Sequence, residues 1–497
     1  MGGADRARPG PWWLPAAVAT ALRLVQIQAP ILGVHSWRQA DTAGLARNFH
    51  EQHLPLWLPQ VDWGGAGSGF AETDFPIYSY AVSLLYDLFG VHEALARLLS
   101  LACSIGALLL LQRLGNRLLG PAAGWWGALT FAVVPLSVFY GRSVQPEALL
   151  LLAASLTLER AVAWHDHGRM RDLVLVGAGL GLASLIKVLP LLWLGIPLLW
   201  LGWCRHGRRL AGRPGPWLVL LSVVAVTGLW YAHAHGLYRS TGLSFGFWGA
   251  RASRYSWADL LGPGYWVDVL LRFVVRGLAV LGLVPLVLGW RHLPTAPETR
   301  ILPLGLGAVL LAGALAPASS HIHEYYQLPL LLFACPLVGL GCSRLARAGG
   351  RSLRWLLPLG LALVLTTSLL ILSLDYWGRE RPAGDPTWAL AQRVQRETPA
   401  GALLVSVTGG DPTLLYLSHR KGWLQQPGAV DAALLRQRQL EGATHVVGLW
   451  ERIESYQPFA DGAEKTRLRR LLDGRLNPPG DPATDGYVQR LPLGQAP

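Results

Sequence analysis

The chain alternates long apolar runs with short polar, arginine-bearing breaks. A membrane-crossing helix needs about 20 mostly apolar residues. The runs of that kind are Pro11–Ala29, Ala94–Gln112, Pro121–Tyr140, Glu147–Trp164, Leu173–Ile186, Val188–Trp203, Pro216–His235, Val267–Trp290, Ile301–Pro317, Tyr325–Gly341 and Trp355–Leu374. They predict an all-α polytopic membrane protein of eleven spans. The fifth and sixth runs are short and read as a hairpin, because arginines precede and follow the pair. Between the first two spans lies a long segment, residues 30–93. In it Thr42, Leu45, Ala46 and Phe49 recur at helical spacing, as do the apolar residues of FPIYSYAVSLLYDLFG. These predict two amphipathic helices lying in the membrane interface, joined by the glycine-rich WGGAGSGF.

The pattern changes after residue 374. ALLVSV and THVVGLW read as buried strands, Asp411–Pro412 as a helix start, and Leu434–Glu441 as a helix. The expected organisation is a transmembrane domain over 1–374, outer loop 30–93 included, followed by a small α/β domain over 375–497.

Composition agrees with lipid as the solvent. Of 497 residues, 52% are hydrophobic and 15% charged, against roughly 25% charged in soluble domains. A net charge of +13 raises nucleic acid as a partner, but the basic residues sit in short tracts between apolar runs, such as CRHGRRLAGR. That is the positive-inside pattern, and nucleic acid is excluded as a partner. The rule places Arg113 and Arg117, Arg169 and Arg171, the Arg205–Arg213 cluster, Arg291 and Arg300, and the Arg344–Arg354 group inside with the N-terminus. The segments 29–93, 236–266, 318–324 and the C-terminal domain then lie outside, periplasmic or extracellular, in a multi-pass plasma or inner membrane protein. The four cysteines, Cys103, Cys204, Cys335 and Cys342, show no disulfide framework or zinc spacing.

Ionisable residues at membrane depth are functional candidates. Those assigned to the outer side are Asp41 in HSWRQADTAG, Glu72 and Asp74 in AETDFP, and Arg142 and Glu147 flanking GRSVQPE. Lys187, in SLIKVLP, and His321, His323, Tyr325 and Tyr326, in SHIHEYYQLP, complete the set. Each has a plainer reading. Asp41 can cap a helix, Glu72 and Asp74 can be solvated, Arg142 and Lys187 can snorkel, and the His/Tyr group can be an interfacial belt. The pair HIH invites a metal, but two histidines at that spacing do not fix a site. Taken together, an acid beside cations on one face is what glycosyl transfer from a phosphate leaving group requires. The carboxylate deprotonates an acceptor hydroxyl. The cations, or a divalent ion such as Mg or Mn, stabilise the departing phosphate. A single displacement inverts the anomeric centre.

Asp41, FPIYSY, Phe89–Gly90, Arg97, SVQPE and HEYYQLP occur in an order that resembles the GT-C superfamily of membrane glycosyltransferases. The branch is that of protein O-mannosyltransferases, lipid A aminoarabinose transferase and lipopolysaccharide sugar transferases. The resemblance implies a polyprenyl-phosphate sugar donor and Asp41 as the catalytic base, with Glu72 or Asp74 as a second carboxylate. It also implies phosphate contacts from Arg142, Lys187, His321, His323, Tyr325 and Tyr326. Many relatives have two adjacent acids where this chain has Asp41 alone. Expected partners are the lipid-linked donor, membrane lipid, and an acceptor glycan, lipid or protein. Two rivals remain at this stage: a transporter or flippase of a lipid-linked saccharide, and a receptor-like membrane protein. Internal repeats and broken helices at the midplane would mark a transporter, and none stands out in the sequence.

Overall fold

The computed structural model describes residues 10–245, 260, 262–348, 356–450, 462–473 and 486–491. Most of the outer segment after residue 245, together with Arg351 and Arg354, lies outside them. The described residues are mainly helical, with one small sheet. All eleven apolar runs contain helix, but the runs are not all single rods. Among the described residues, five helices are long and apolar enough to cross a membrane: Glu93–Leu119, Glu147–His167, Pro214–Thr241, Leu330–Arg347 and Pro358–Glu380.

Proline and glycine explain where the other runs break. The run 121–140 divides into Pro121–Val133 and Pro135–Tyr140. Pro135 has no N–H to donate, and its ring drives Val134 out of the helical region to φ −67°, ψ 137°. The run 267–290 becomes Pro263–Arg272, a π-turn at Phe273–Gly277 and Leu283–Arg291, with Ala279 and Val280 at positive φ between them.

The chain forms two compact units. One comprises the described residues of Met1–Ile27, Arg97–His233 and Ala250–Leu374; the other those of Gln28–Ala96, Ala234–Gly249 and Asp375–Pro497. The outer loop, expected with the membrane helices, therefore clusters with the C-terminal segment.

In the helical unit, the Pro121–Val133 and Leu330–Ala348 helices pack backbone to backbone. A Cβ on Gly339 would sit 2.0 Å from the Ala123 carbonyl oxygen. Small residues at such crossings are how helices associate where lipid removes the hydrophobic drive.

In the other unit, strands β1 (Leu403–Val407), β2 (Lys421–Leu424), β3 (Ala443–Leu449) and β4 (Gly486–Arg490) form a sheet in the order β2-β1-β3-β4. β1 pairs parallel with β2 and β3, and β4 closes the edge antiparallel. Parallel neighbours need crossover connections; helices Thr413–Ser418 and Ala432–Leu440 supply them. Val405, Val407, Val446, Leu468 and Tyr487 fill the core.

The two outer-loop helices are present as Ser36–Glu51 and Ile77–Phe89. The first is not the one-sided helix that its spacing predicts. Nearly all its residues, from Ser36 through Phe49, are buried.

Candidate active site

Asp41 is the sixth residue of the Ser36–Glu51 helix, whose N-cap position is His35. The reading of Asp41 as a cap therefore fails. The residue is 9% exposed. The Trp63 indole N–H donates to Oδ1 at 2.9 Å, and the Trp63 ring stacks on Phe245. Burial pushes the Asp41 carboxyl up from 3.8 to about 7, opposed by the Trp63 hydrogen bond and Arg38 and reinforced by Asp411 and Asp62. Desolvation penalises the charged form, and no cation is bonded to the carboxylate strongly enough to offset it.

The neighbouring acids are differently placed. Asp74 is ion-paired with Arg38 at 2.9 Å, and the Arg38 guanidinium lies 5.2 Å from the Phe245 ring centre. Glu72 is fully buried; it accepts from the Ser244 hydroxyl, and its backbone forms a short parallel bridge with residues 243–245. Asp62 is held by Arg47 at 2.6 Å and by Asn48 at 3.0 Å. Asp411 accepts from the backbone N–H of Thr413 at 2.8 Å. Unlike Asp74 and Asp62, Asp41 has no arginine within ion-pair distance; its hydrogen-bond donor is the Trp63 indole.

The glycine-rich loop that begins at Trp63 packs against strand β2. Gly65 has φ +64° and lies against the Trp423 indole, where a Cβ would be 2.2 Å from Nε1. Gly65 N–H donates to the Gly422 carbonyl, and Gly422 N–H donates to the Asp62 carbonyl. In the basic-aromatic stretch SHRKGW, Ser418 ends the Thr413–Ser418 helix and Lys421–Trp423 lie in strand β2. Lys421 is engaged with Gln60 at 2.6 Å.

In the helical unit a second cluster forms around Lys187, which ends the Met170–Ile186 helix. Its ammonium pairs with Glu147 at 2.6 Å and lies 4.3 Å from the Tyr325 ring centre and 5.1 Å from that of Tyr326. His323, Tyr325 and Tyr326 stack in sequence, with centroid separations of 5.2 and 5.3 Å. Behind the stack, Tyr140 packs edge-on against Tyr325 and donates to Glu324 at 2.9 Å, and Arg276 pairs with Glu324. Sequence reasoning assigned no role to Arg276 or Arg38 and read Asp411 only as a helix start; Trp63, the first residue of the glycine-rich WGGAGSGF, carried a visible signal.

Two predicted phosphate ligands are engaged elsewhere. Arg142 is buried, and its guanidinium donates to the carbonyls of Val25 at 3.1 Å and Gln26 at 3.3 Å. His321 faces Asp268 at 3.1 Å on an exposed surface. The metal reading finds no support in the donor set. Among the described residues, no group of three or more His, Cys, Asp or Glu can hold an ion.

Residues 73–231 match the family model described as dolichyl-phosphate-mannose-protein mannosyltransferase. Among solved structures, ArnT from Cupriavidus metallidurans in the apo state aligns with a TM-score of 0.68 at 14% identity, covering 96% of this chain and 97% of that one. The same protein bound to undecaprenyl phosphate gives 0.68 at 15% identity, covering 97% and 98%. AglB from Archaeoglobus fulgidus, an archaeal oligosaccharyltransferase solved with an inhibitory peptide and a dolichol-phosphate, gives 0.61 at 14% identity, covering 88% and 69%. A comparison with curated protein sequences yields no match.

Proposed function

From the premise that this multi-pass membrane chain has the GT-C glycosyltransferase fold, we propose that it transfers a sugar from a polyprenyl-phosphate carrier to an acceptor hydroxyl outside the membrane. The observation that carries this reading is Asp41, a buried carboxyl with a proton affinity near neutrality. A general base works best when its pKa lies near the operating pH. In this reading Asp41 takes the acceptor proton as the acceptor oxygen bonds to the anomeric carbon. The bond from that carbon to the phosphate oxygen breaks, configuration inverts, and polyprenyl phosphate leaves.

Lys187 is the cation for the leaving phosphate. It carries a mobile point charge, and its tyrosine walls and the Glu147 carboxylate hold it in place without consuming all three of its donors. Arg142 is the weaker candidate, since its donors already serve backbone carbonyls. The arginine bias of the loops supports an outer location for the acceptor chemistry, on the side that nucleotide sugars do not reach. The lipid phosphates named for the ArnT and AglB structures support a carrier of that class here.

The test is purified protein in nanodiscs, given a polyprenyl-monophosphate sugar and a nucleotide sugar in separate reactions. Transfer from the first alone is expected. Efficient transfer from the nucleotide sugar without lipid carrier overturns the proposal.

A further inference from the structure

An apolar cleft of about 160 Å³ lies among four helices of the helical unit. Its walls are helical stripes. The Gly195–His206 helix contributes Gly195, Leu198, Leu199 and Gly202, the i, i+3, i+4, i+7 spacing of one face. The Met170–Ile186 helix contributes Leu173, Val176 and Leu180. Trp164 of the Glu147–His167 helix and Val219 of the Pro214–Thr241 helix face them. Every described residue of the lining is apolar or glycine. The stripe from Gly195 to Gly202 extends about 10.5 Å along its helix, so the cleft is elongated in that direction. A Cβ on Gly195 would have nothing within 4 Å.

The two ends of the cleft differ. At the Gly202 end the lining passes to Leu210, whose side chain would lie 3.2 Å from a Gly202 Cβ, and to Trp217. The Trp217 indole N–H donates to the Leu210 carbonyl at 3.0 Å, and the residue stays exposed, as tryptophans at a membrane–water boundary do. The short turn that holds Leu210, Gly207–Gly212, also carries Arg208 and Arg209, and Arg213 follows it. All three are exposed residues, and among the described residues none of their side chains has a hydrogen bond or an ion pair. Arg205 belongs to the wall instead. Its guanidinium lies 5.8 Å from the Trp164 ring centre and donates to the His165 carbonyl. Acids on the adjoining helix ends have other arginine partners: Asp172 pairs with Arg160 at 3.0 Å and Asp166 with Arg117 at 3.5 Å. Glu298 acts on Cys204, about 200° round its helix from Gly202.

We infer that this cleft holds an acyl chain of an anionic phospholipid whose headgroup lies at the Arg208, Arg209 and Arg213 tract. An elongated apolar slot parallel to its helices has the direction of a lipid chain in a bilayer. The walls supply shape rather than drive, because lipid tails are as apolar as leucine. Selection comes from charge: each arginine near an anionic headgroup is worth about fivefold in binding. The arginine bias that assigns this turn to the inner side supports a lipid of the inner leaflet. An arginine loop of the positive-inside kind needs no cleft beside it. The pairing of a chain-shaped slot with an uncompensated cationic end is what singles out this place. The inference stands apart from the glycosyl-transfer proposal.

The experiment uses the full chain, stripped of lipid in a neutral detergent, with thermal unfolding as the readout. Dioleoylphosphatidylglycerol, dioleoylphosphatidylcholine and glycerol 3-phosphate are titrated separately. Phosphatidylglycerol should raise the melting temperature at a concentration at least about fivefold below that of phosphatidylcholine, the worth of one arginine. Glycerol 3-phosphate, a headgroup without chains, should have no effect. The Arg208→Gln/Arg209→Gln/Arg213→Gln variant should respond to the two lipids alike. Gly195→Leu, with open space at its Cβ, should fill the cleft, melt no lower than wild type without lipid, and lose the response to phosphatidylglycerol. Equal responses to the two lipids in the wild type, or a phosphatidylglycerol preference that survives either substitution, overturn the inference. A full response to glycerol 3-phosphate marks a free-anion site and overturns it as well. So does displacement of phosphatidylglycerol by an equal or smaller amount of a polyprenyl phosphate, which would give the cleft to the carrier. If Gly195→Leu melts lower than wild type without lipid, the arginine variant, altered only at exposed positions, decides alone.

Discussion

Replacing Asp41 by Asn tests catalysis and stability with one substitution, because the two should move in opposite directions. In the folded protein the Asp41 carboxyl is raised from 3.8 to about 7, chiefly by burial. The native state therefore holds this proton more tightly than the unfolded chain does. Stability falls as pH rises from about 4 towards 7, and above 7 the full cost of the buried charge is carried. At about 1.4 kcal/mol per unit, that cost is on the order of 4 kcal/mol. Asn keeps the size of the side chain and can accept from the Trp63 N–H, but it never ionises. The variant should melt higher than wild type at pH 8 and close to it at pH 4.5. Its transfer rate should drop by about 10²–10⁴, the usual contribution of a general base. The wild-type profile of kcat/KM should rise with pH to a plateau above about 7, and the variant should lose that limb. The assays are thermal unfolding in nanodiscs at the two pH values and initial rates between pH 5 and pH 9. Activity retained within a few-fold, or a variant less stable than wild type at pH 8, would refute the assignment and move attention to Glu72.

Three further expectations are open to direct measurement. Trp63→Phe removes a hydrogen bond that favours the charged form of Asp41, so the rising limb of the pH profile should shift to higher pH; an unmoved limb detaches Trp63 from the base. Lys187→Ala should lower kcat/KM for the donor about 10–100-fold, the worth of a charged hydrogen bond, and leave the acceptor KM within about twofold; equal losses for both substrates would argue for a structural lysine. With the native cysteines removed, Gln437→Cys in the C-terminal segment should react with an impermeant thiol reagent in intact cells and Gly212→Cys should not, since arginine bias puts residue 212 inside; the reverse pattern inverts the proposed topology.

The helices were legible because their signal is additive. A run of apolar residues announces burial or lipid contact whatever surrounds it, and each such run contains helix. The breaks inside the runs were less legible, since Pro135 ends a helix while Pro336 is accommodated inside the Leu330–Ala348 helix. In the C-terminal segment β1 and β3 were visible as continuous apolar stretches. β2 and β4 were not, because KGWL and GYVQR are short edge strands with few apolar residues. The Ser36–Glu51 helix looked amphipathic because its polar residues were assigned to solvent. In the fold Arg47, Asn48 and Asp62 satisfy one another in the interior, a pairing between distant residues that no local period encodes.

The same distinction governs which buried charges carry function. Arg23 is a cation within an apolar run, yet its guanidinium donates to Ser104, Ser137 and the carbonyls of Ala19 and Ala132. That many protein acceptors at fixed positions make it a strut joining helices, and the arginine that a depth rule would nominate first has little capacity left for a ligand. Lys187 differs in kind. Its donors meet one carboxylate and the faces of two tyrosines, and a ring face holds a cation without competing in line for its hydrogen bonds. An incoming phosphate can add to that arrangement, whereas at Arg23 it would have to displace backbone carbonyls. Asp41 obeys the converse rule for an acid. Asp62 and Asp74 are each engaged by an arginine. Asp41 has a single indole donor and a dry setting. The proposed roles of Asp41 and Lys187 rest on incomplete compensation of a charge, and that quantity depends on tertiary partners that the sequence order alone does not reveal.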